Sequence, residues 1–191
     1  MKRKAWLALA VIVLVLAAAA YLASPLVAFR AMSVAAEAGD RDGLARTVDF
    51  PAVRADLKEQ LNARLMGALR QDRSLSDGPF GALGALLGPA IVEQVVNAAV
   101  TPDGVAAIVR SGRAPLSEIG PGATAPPPPV EPVTVAAADK SKRSTRFAYT
   151  DLNHFRARTV TADNPDQPLG WVLERRGLFG WKLVRIELPP A

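Results

Sequence analysis

The hydropathy pattern begins with an uncharged apolar segment near the N-terminus. Residues 5–23, AWLALAVIVLVLAAAAYLA, form 19 consecutive positions without a charged side chain. As a helix this segment is about 28 Å long, close to the roughly 30 Å hydrocarbon core of a bilayer. Trp6 and Tyr21 stand near its two ends, where amphipathic rings favour the headgroup region. The pattern predicts a transmembrane anchor over residues 5–23.

A basic tip precedes the apolar segment. Residues 1–4 carry two lysines and one arginine, so the positive-inside rule predicts a cytoplasmic N-terminus and an exported remainder. A cleaved signal peptide is the alternative, because three alanines at residues 18–20 supply the small residues of a cleavage site. The apolar run continues past this site through Tyr21 and Leu22, which favours a retained anchor.

Residues 24–110 combine apolar and polar positions at helical spacing. Ser24 and Pro25 are predicted to end or kink the apolar helix, because proline removes a helical hydrogen bond. Asp40, Asp49 and Thr101 are predicted to cap helices with their side-chain oxygens. Helices are expected over residues 26–38, 41–48, 51–70, 80–100 and 102–110.

The rest of the chain changes character twice. Residues 111–138 are proline-rich and are predicted to form a linker or loop, because such a stretch cannot form a helix or a central strand. Residues 139–191 then hold strand-like runs over 145–150, 154–161, 169–175 and 181–188, separated by turn-forming residues. Short connections imply an antiparallel meander. Residues 24–191 are therefore predicted to form one α+β domain, with a helical part followed by a roughly four-stranded sheet.

Short motifs are distributed over the chain on both sides of the proline-rich segment. They are YLASP at 21–25, AGD at 38–40, VDFP at 48–51, VR at 53–54, LKEQL at 57–61, PF at 79–80, VTPDG at 100–104, LER at 173–175, GLF at 177–179 and WKLV at 181–184. In this order they resemble a bacterial family catalogued as domain of unknown function 2939. The resemblance implies a single-span membrane protein with no assigned activity, and it supplies no catalytic residues.

Two further expectations follow from the resemblance and the element order. In a bacterium, the anchor predicts an inner-membrane protein with a cytoplasmic N-terminus and a periplasmic domain. Helices followed by a curved meander also look, more loosely, like the NTF2/cystatin-like class, whose members often enclose an apolar cavity between sheet and helices. This second likeness is an analogy of fold and carries no function.

Composition removes several kinds of chemistry. The sequence has no cysteine and one histidine, which excludes disulfides, thiolate nucleophiles, cysteine-ligated metals and multi-histidine metal sites. No cofactor and no metal are predicted. The formal net charge is +5, but three of the 23 basic residues precede the apolar segment. The exported part therefore carries only about +2, and a nucleic-acid partner is not predicted.

His154 is the strongest general-base candidate at neutral pH. A Ser-His-Asp triad can be drawn from Ser144, His154 and Asp151, but the sequence has no nucleophile elbow. A histidine at a strand edge or turn is the favoured interpretation. No catalytic residue is therefore assigned.

Four arginines give a second candidate site. Arg156 and Arg158 share one strand face, and Arg175 and Arg185 are expected on neighbouring strands. Together they would form an anion-binding surface for lipid headgroups or polyanions. The simpler interpretation is a solvated face of the sheet.

Three functional hypotheses remain. The favoured one is a non-enzymatic binding or interaction module, held in the membrane by residues 5–23, for an apolar or lipid-like ligand or an envelope protein. The second is a hydrolase or isomerase that uses His154 with a nearby carboxylate. The third is a structural envelope protein that acts through its anchor and its proline-rich segment.

Overall fold

Helices precede strands along the chain. The computed structural model describes residues 2–71, 79–112, 143–162 and 164–189. Its elements are α1 (Lys2–Ala38), α2 (Arg41–Thr47), α3 (Phe50–Gln71), α4 (Pro79–Ala99), α5 (Pro102–Ser111), β1 (Arg143–Tyr149), β2 (His154–Thr161), β3 (Asn164–Arg176) and β4 (Gly180–Glu187). The predicted α+β class is confirmed. The predicted linker at 111–138 lies outside the described residues, apart from Ser111, which ends α5, and Gly112, which caps it.

The apolar N-terminal segment and the first helix of the domain form one element, α1. Residues 26–38 are helical as predicted, but they continue the apolar helix, so the expected end of that helix at Ser24–Pro25 is wrong. Pro25 lies inside α1 and has no N–H to donate to the carbonyl of Tyr21, one helical turn earlier. The Ser24 hydroxyl donates to that carbonyl instead, at 2.7 Å. Because the vacated acceptor is satisfied locally, the helix continues through the proline.

Side-chain caps fix the starts of the short helices. Asp40 Oδ1 accepts a hydrogen bond of 2.9 Å from the backbone N–H three residues later, at the start of α2. Asp49 does the same for α3 at 3.2 Å, and Thr101 for α5 at 3.1 Å. The three predicted caps are confirmed, and each satisfies a backbone donor that the first helical turn leaves free.

The four strands form an antiparallel sheet in the order β1-β2-β3-β4. The predicted meander is confirmed, but the turn expected between the strand runs 154–161 and 169–175 is wrong for most of its length, because β3 begins at Asn164. The β2–β3 register shifts between Thr159 and Thr161. Pro165 and Pro168 lie in this irregular stretch, where a missing N–H removes no regular ladder bond.

The core lies between one sheet face and the helices. On β2, Phe155 and Ala157 are buried while Arg156 and Arg158 are exposed, as their alternation predicts. The buried apolar residues that α1, α2 and α3 contribute are Met32, Ala35, Ala36, Leu44, Val53 and Leu57, and those of β3 and β4 are Leu169, Trp171, Leu173, Trp181, Leu183 and Ile186. The helices therefore cover the inner face of the sheet.

Polar groups of the helical part satisfy the outer edge of β4. The backbone N–H of Asp49 donates to the Leu183 carbonyl at 2.8 Å. The Gln60 side chain donates to the Ile186 carbonyl at 2.9 Å and accepts from the Leu188 N–H at 3.1 Å. These contacts occupy backbone groups that an edge strand would otherwise leave open.

Candidate functional site

The sheet contacts α1 where the apolar segment enters the domain. The Trp181 indole N–H donates to the Ser24 hydroxyl oxygen at 2.8 Å, and both residues are buried. The Tyr149 hydroxyl donates to the Leu22 carbonyl, also at 2.8 Å. We call residues 21–25, with the sheet residues Tyr149, Arg175 and Trp181, the junction.

Arg175 links the junction to two hairpin turns. Its guanidinium carbon lies 3.9 Å from the ring centroid of Tyr21 and 4.2 Å from that of Trp181, so the cation contacts two aromatic rings. Its Nε donates to the Leu152 carbonyl at 3.0 Å and its Nη1 to the Leu178 carbonyl at 2.8 Å. Among the residues that the structure describes, no ion pair includes Arg175. Its charge is therefore balanced by rings and carbonyls rather than by a carboxylate.

The candidate anion-binding surface of four arginines, which was the less favoured interpretation, does not form, because Arg175 lies on the other face of the sheet. Arg175 alternates with Glu174 and lies on the same side of β3 as the buried Leu173, opposite to the face of Arg156. Arg156 is paired with Glu187 at 2.7 Å.

Arg185 is occupied as well, because it pairs with Asp56 of α3 at 2.7 Å. The pKa of Asp56 is raised overall, because its burial outweighs the lowering effects of the hydrogen bond from Gln60 and the charge of Arg185. Arg156 and Arg185 are thus each paired with a carboxylate, and Arg175 lies on the opposite face of the sheet, so the four arginines do not converge on one anion site.

His154, the first residue of β2, lies beside Asp151 of the β1–β2 turn. The His154 Nδ1 lies 2.8 Å from Asp151 Oδ2. Asp151 Oδ1 also accepts from the backbone N–H of Asn153 at 2.7 Å and of His154 at 2.9 Å. These hydrogen bonds, with that of Asn153 the strongest influence, hold the pKa of Asp151 below its usual value. About half of each side chain is exposed, so the pair closes a turn at the surface.

Ser144 is remote from this pair. It is paired with Val160 near the start of β1, whereas His154 follows the end of that strand. Six residues of extended chain separate Ser144 from the position opposite His154, or about 20 Å. The structure therefore does not assemble the Ser144–His154–Asp151 triad.

A cleft of about 230 Å³ lies at the other end of the described domain, away from the junction. It is lined by Phe29, Met32, Ser33, Glu37, Val109, Gly112, Arg143, Thr145, Thr159 and Trp171. Small-molecule pockets are usually roughly 300–1,000 Å³. The cleft is thus small and mixed in character, in contrast to the apolar cavity expected from the NTF2/cystatin-like analogy. His154 does not line it.

These features define the class of the protein: an α+β domain built onto an N-terminal apolar helix. Within that helix, Trp6–Ala38 has the length and composition of a membrane-crossing segment, which signal sequences share. The chain belongs to the family described as protein of unknown function (DUF2939), whose model matches residues 14–108. The match covers the α1 side of the junction and ends in α5, before the sheet begins. No curated protein and no solved structure matches the chain.

Proposed function

We propose that this protein is a single-pass membrane protein whose α+β domain is exported and acts as a non-enzymatic interaction module beside the bilayer. In a bacterium the domain would stand in the periplasm, with residues 1–4 in the cytoplasm. The observation that carries the proposal is the continuity of α1. The same helix supplies the apolar segment and, through Met32, Ala35 and Ala36, part of the buried core.

The junction supports a retained anchor over a cleaved signal peptide. A cut after Ala20 would leave Tyr21 as the first residue, with a positively charged amino group at the start of a helix. The helix macrodipole disfavours a positive charge there. The Arg175 guanidinium already lies against the Tyr21 ring, so a second cation would be added beside it. An uncut α1 avoids this cost.

The site geometry favours binding over catalysis. His154 is held by Asp151 in a surface turn and lies outside the cleft that the described residues form, so this cleft does not bring a substrate to it. The cleft itself is smaller than common ligand pockets. We therefore favour a protein partner in the envelope over a lipid-like ligand.

Single-cysteine labelling tests the topology, because the chain has no native cysteine. A Lys4→Cys variant and an Asp42→Cys variant place one exposed thiol on each side of the apolar segment. In spheroplasts, a membrane-impermeant maleimide is expected to label the Asp42→Cys protein, and to label the Lys4→Cys protein only after lysis. The intact mass should be that of the uncut chain. External labelling of Lys4→Cys, or a mass lacking residues 1–20, would refute the anchor.

In vivo photocrosslinking tests the interaction role with the anchor in place. A photoreactive residue at Ser33, which lines the cleft, should capture a defined envelope protein. The same residue at Ala45, which is exposed on α2 and does not line the cleft, serves as the matched control. Identical capture patterns at the two positions, or none at Ser33, would remove the cleft as the partner site.

A further inference from the structure

The two hairpin tips beside α1 carry exposed apolar side chains. The β1–β2 tip, residues 150–153, presents Leu152 at 71% exposure. The β3–β4 tip, residues 177–179, presents Leu178 at 73% and Phe179 at 55%. A single exposed leucine is ordinary in a folded protein. Three large apolar side chains on two neighbouring tips form a group that requires an explanation.

Contacts place both tips beside the C-terminal end of the apolar segment, at Tyr21. The ring of Phe179 meets that of Tyr21 edge to face, with centroids 6.4 Å apart. Arg175 binds the carbonyls of Leu152 and Leu178 while its guanidinium lies on the Tyr21 ring. The tips are therefore tied to each other and to the last turn of the apolar segment.

The direction of the strands shows that the tips point toward the N-terminal part of α1. Tyr149, at the end of β1, contacts Leu22, whereas Phe147, two residues earlier, contacts Phe29, about two helical turns further along α1. β1 thus runs alongside α1 in the opposite sense. The β1–β2 tip follows Tyr149 and so projects past Leu22, beside the apolar segment.

Depth in the membrane follows from these positions. If residues 5–23 cross the hydrocarbon core, Tyr21 lies at the headgroup level of the exported side, where aromatic rings are favoured. Phe179 contacts Tyr21, so it lies at the same depth. Arg175 is then at a level where a long cationic side chain is stable, with its stem on apolar surface. Asp151, the acidic residue of the β1–β2 tip, already accepts three hydrogen bonds within its own turn.

We propose that Leu152, Leu178 and Phe179 insert into the outer interface of the same phospholipid bilayer that α1 crosses. The domain would thereby rest on the membrane at three supports: α1 and the two tips. Arg175 is the positioning residue that holds both tips against Tyr21. This inference rests on the proposed function, since it requires α1 to span the bilayer.

Fluorescence quenching in vesicles tests the insertion. The full-length protein is reconstituted into phosphatidylethanolamine–phosphatidylglycerol vesicles with an environment-sensitive fluorophore on one introduced cysteine. Labels at Leu152→Cys and Leu178→Cys are expected to be quenched by lipids brominated near the headgroup and protected from aqueous iodide. The matched control, Asp42→Cys on α2, should show the reverse.

A fourth label separates the two proposals. Leu14→Cys lies in the middle of the apolar segment and should be quenched by lipids brominated deep in the chains. If this label is quenched while both tip labels behave like Asp42→Cys, the anchor stands and the insertion of the tips is refuted. If the Leu14→Cys label is itself accessible to iodide, the anchor has failed and the tips lose their bilayer. Quenching of all three by lipid supports both.

Discussion

The buried Trp181 indole donates a hydrogen bond of 2.8 Å to the hydroxyl of Ser24, across 157 residues of sequence. The same hydroxyl donates to the Tyr21 carbonyl that Pro25 leaves without its helical partner. The Ser24 hydroxyl thus satisfies the helix carbonyl that Pro25 leaves free, and it also links the helix to the sheet. This arrangement explains how a proline can lie inside α1 at the point where the helix enters the domain.

Removing the Ser24 hydroxyl should therefore have two costs. Ser24→Ala leaves the Tyr21 carbonyl and the Trp181 N–H without partners, and we expect a loss of about 2 kcal/mol in the free energy of unfolding. In a Pro25→Ala background the backbone N–H at position 25 satisfies the Tyr21 carbonyl. There the same substitution should cost about 1 kcal/mol. Urea unfolding of the full-length protein in detergent, followed by tryptophan fluorescence, measures this cycle; equal costs in both backgrounds would contradict it.

Arg175 should contribute far more stability than an arginine on the outer face of the sheet. Arg175→Ala loses two hydrogen bonds to carbonyls and two ring contacts, and should cost about 2–3 kcal/mol. The control is Arg158→Ala, on an exposed position of β2, where the change should stay within about 0.5 kcal/mol. Arg175→Lys should recover only a fraction, because an ammonium lacks the planar fork.

Hydrogen exchange locates the effect of Arg175. Loss of the guanidinium should accelerate amide exchange at residues 150–153 and 177–179 and leave the caps of α2 and α5 unchanged. Uniform acceleration across the domain would mean that Arg175 stabilises the fold globally rather than holding the tips.

Asp151 should give the β1–β2 turn an acid-sensitive component. Its folded pKa is lowered, first by the hydrogen bond from Asn153 and then by His154. The ionised form is therefore favoured by folding, and the stabilisation is present above the ordinary aspartate pKa of about 3.9 and is lost as pH falls through the lower folded value. The stability difference between the wild type and Asp151→Asn should be largest near neutral pH and shrink below about pH 4. Thermal unfolding over a pH series measures it, and a difference that grows toward acid would contradict the assignment.

Two glycines should respond to alanine with opposite signs. Gly39 ends α1 with φ +67, and no atom lies within 4 Å of an added Cβ, so Gly39→Ala tests backbone strain alone. We expect a loss of about 1 kcal/mol. Gly67, inside α3, also has open space at Cβ but no positive φ. Gly67→Ala should therefore stabilise the protein by up to about 1 kcal/mol. Equal signs in denaturant unfolding would contradict the left-handed cap.

Local chemistry explains what the sequence could predict. The caps at Asp40, Asp49 and Thr101 depend on residues only three positions apart, and the face of β2 depends on simple alternation. Both signals are complete within a short window. The helical and strand parts of the fold were accordingly predictable in order and type.

The junction depends on contacts that no short window contains. Pro25 signals a break, and the continuity of α1 depends on Ser24, whose second partner is at Trp181. Nothing in the sequence around Arg175 distinguishes it from the other arginines. Its side chain faces Tyr21 because Arg175 lies two residues from Leu173, on the inner face of β3. The start of β3 likewise could not be predicted, because it lies among turn-forming residues and its pairing with β2 is irregular after Thr159.

A distance measured along α1 tests the central claim, that the apolar segment and the domain share one unbroken helix. Leu16 and Val34 are both exposed and lie 18 residues apart, on the same face of α1. Spin labels on the Leu16→Cys/Val34→Cys protein in lipid nanodiscs should give one narrow distance near about 27 Å by double electron–electron resonance. A broad distribution, or a distinctly shorter distance, would show that the helix breaks at Ser24–Pro25 and that the domain is only tethered to its anchor.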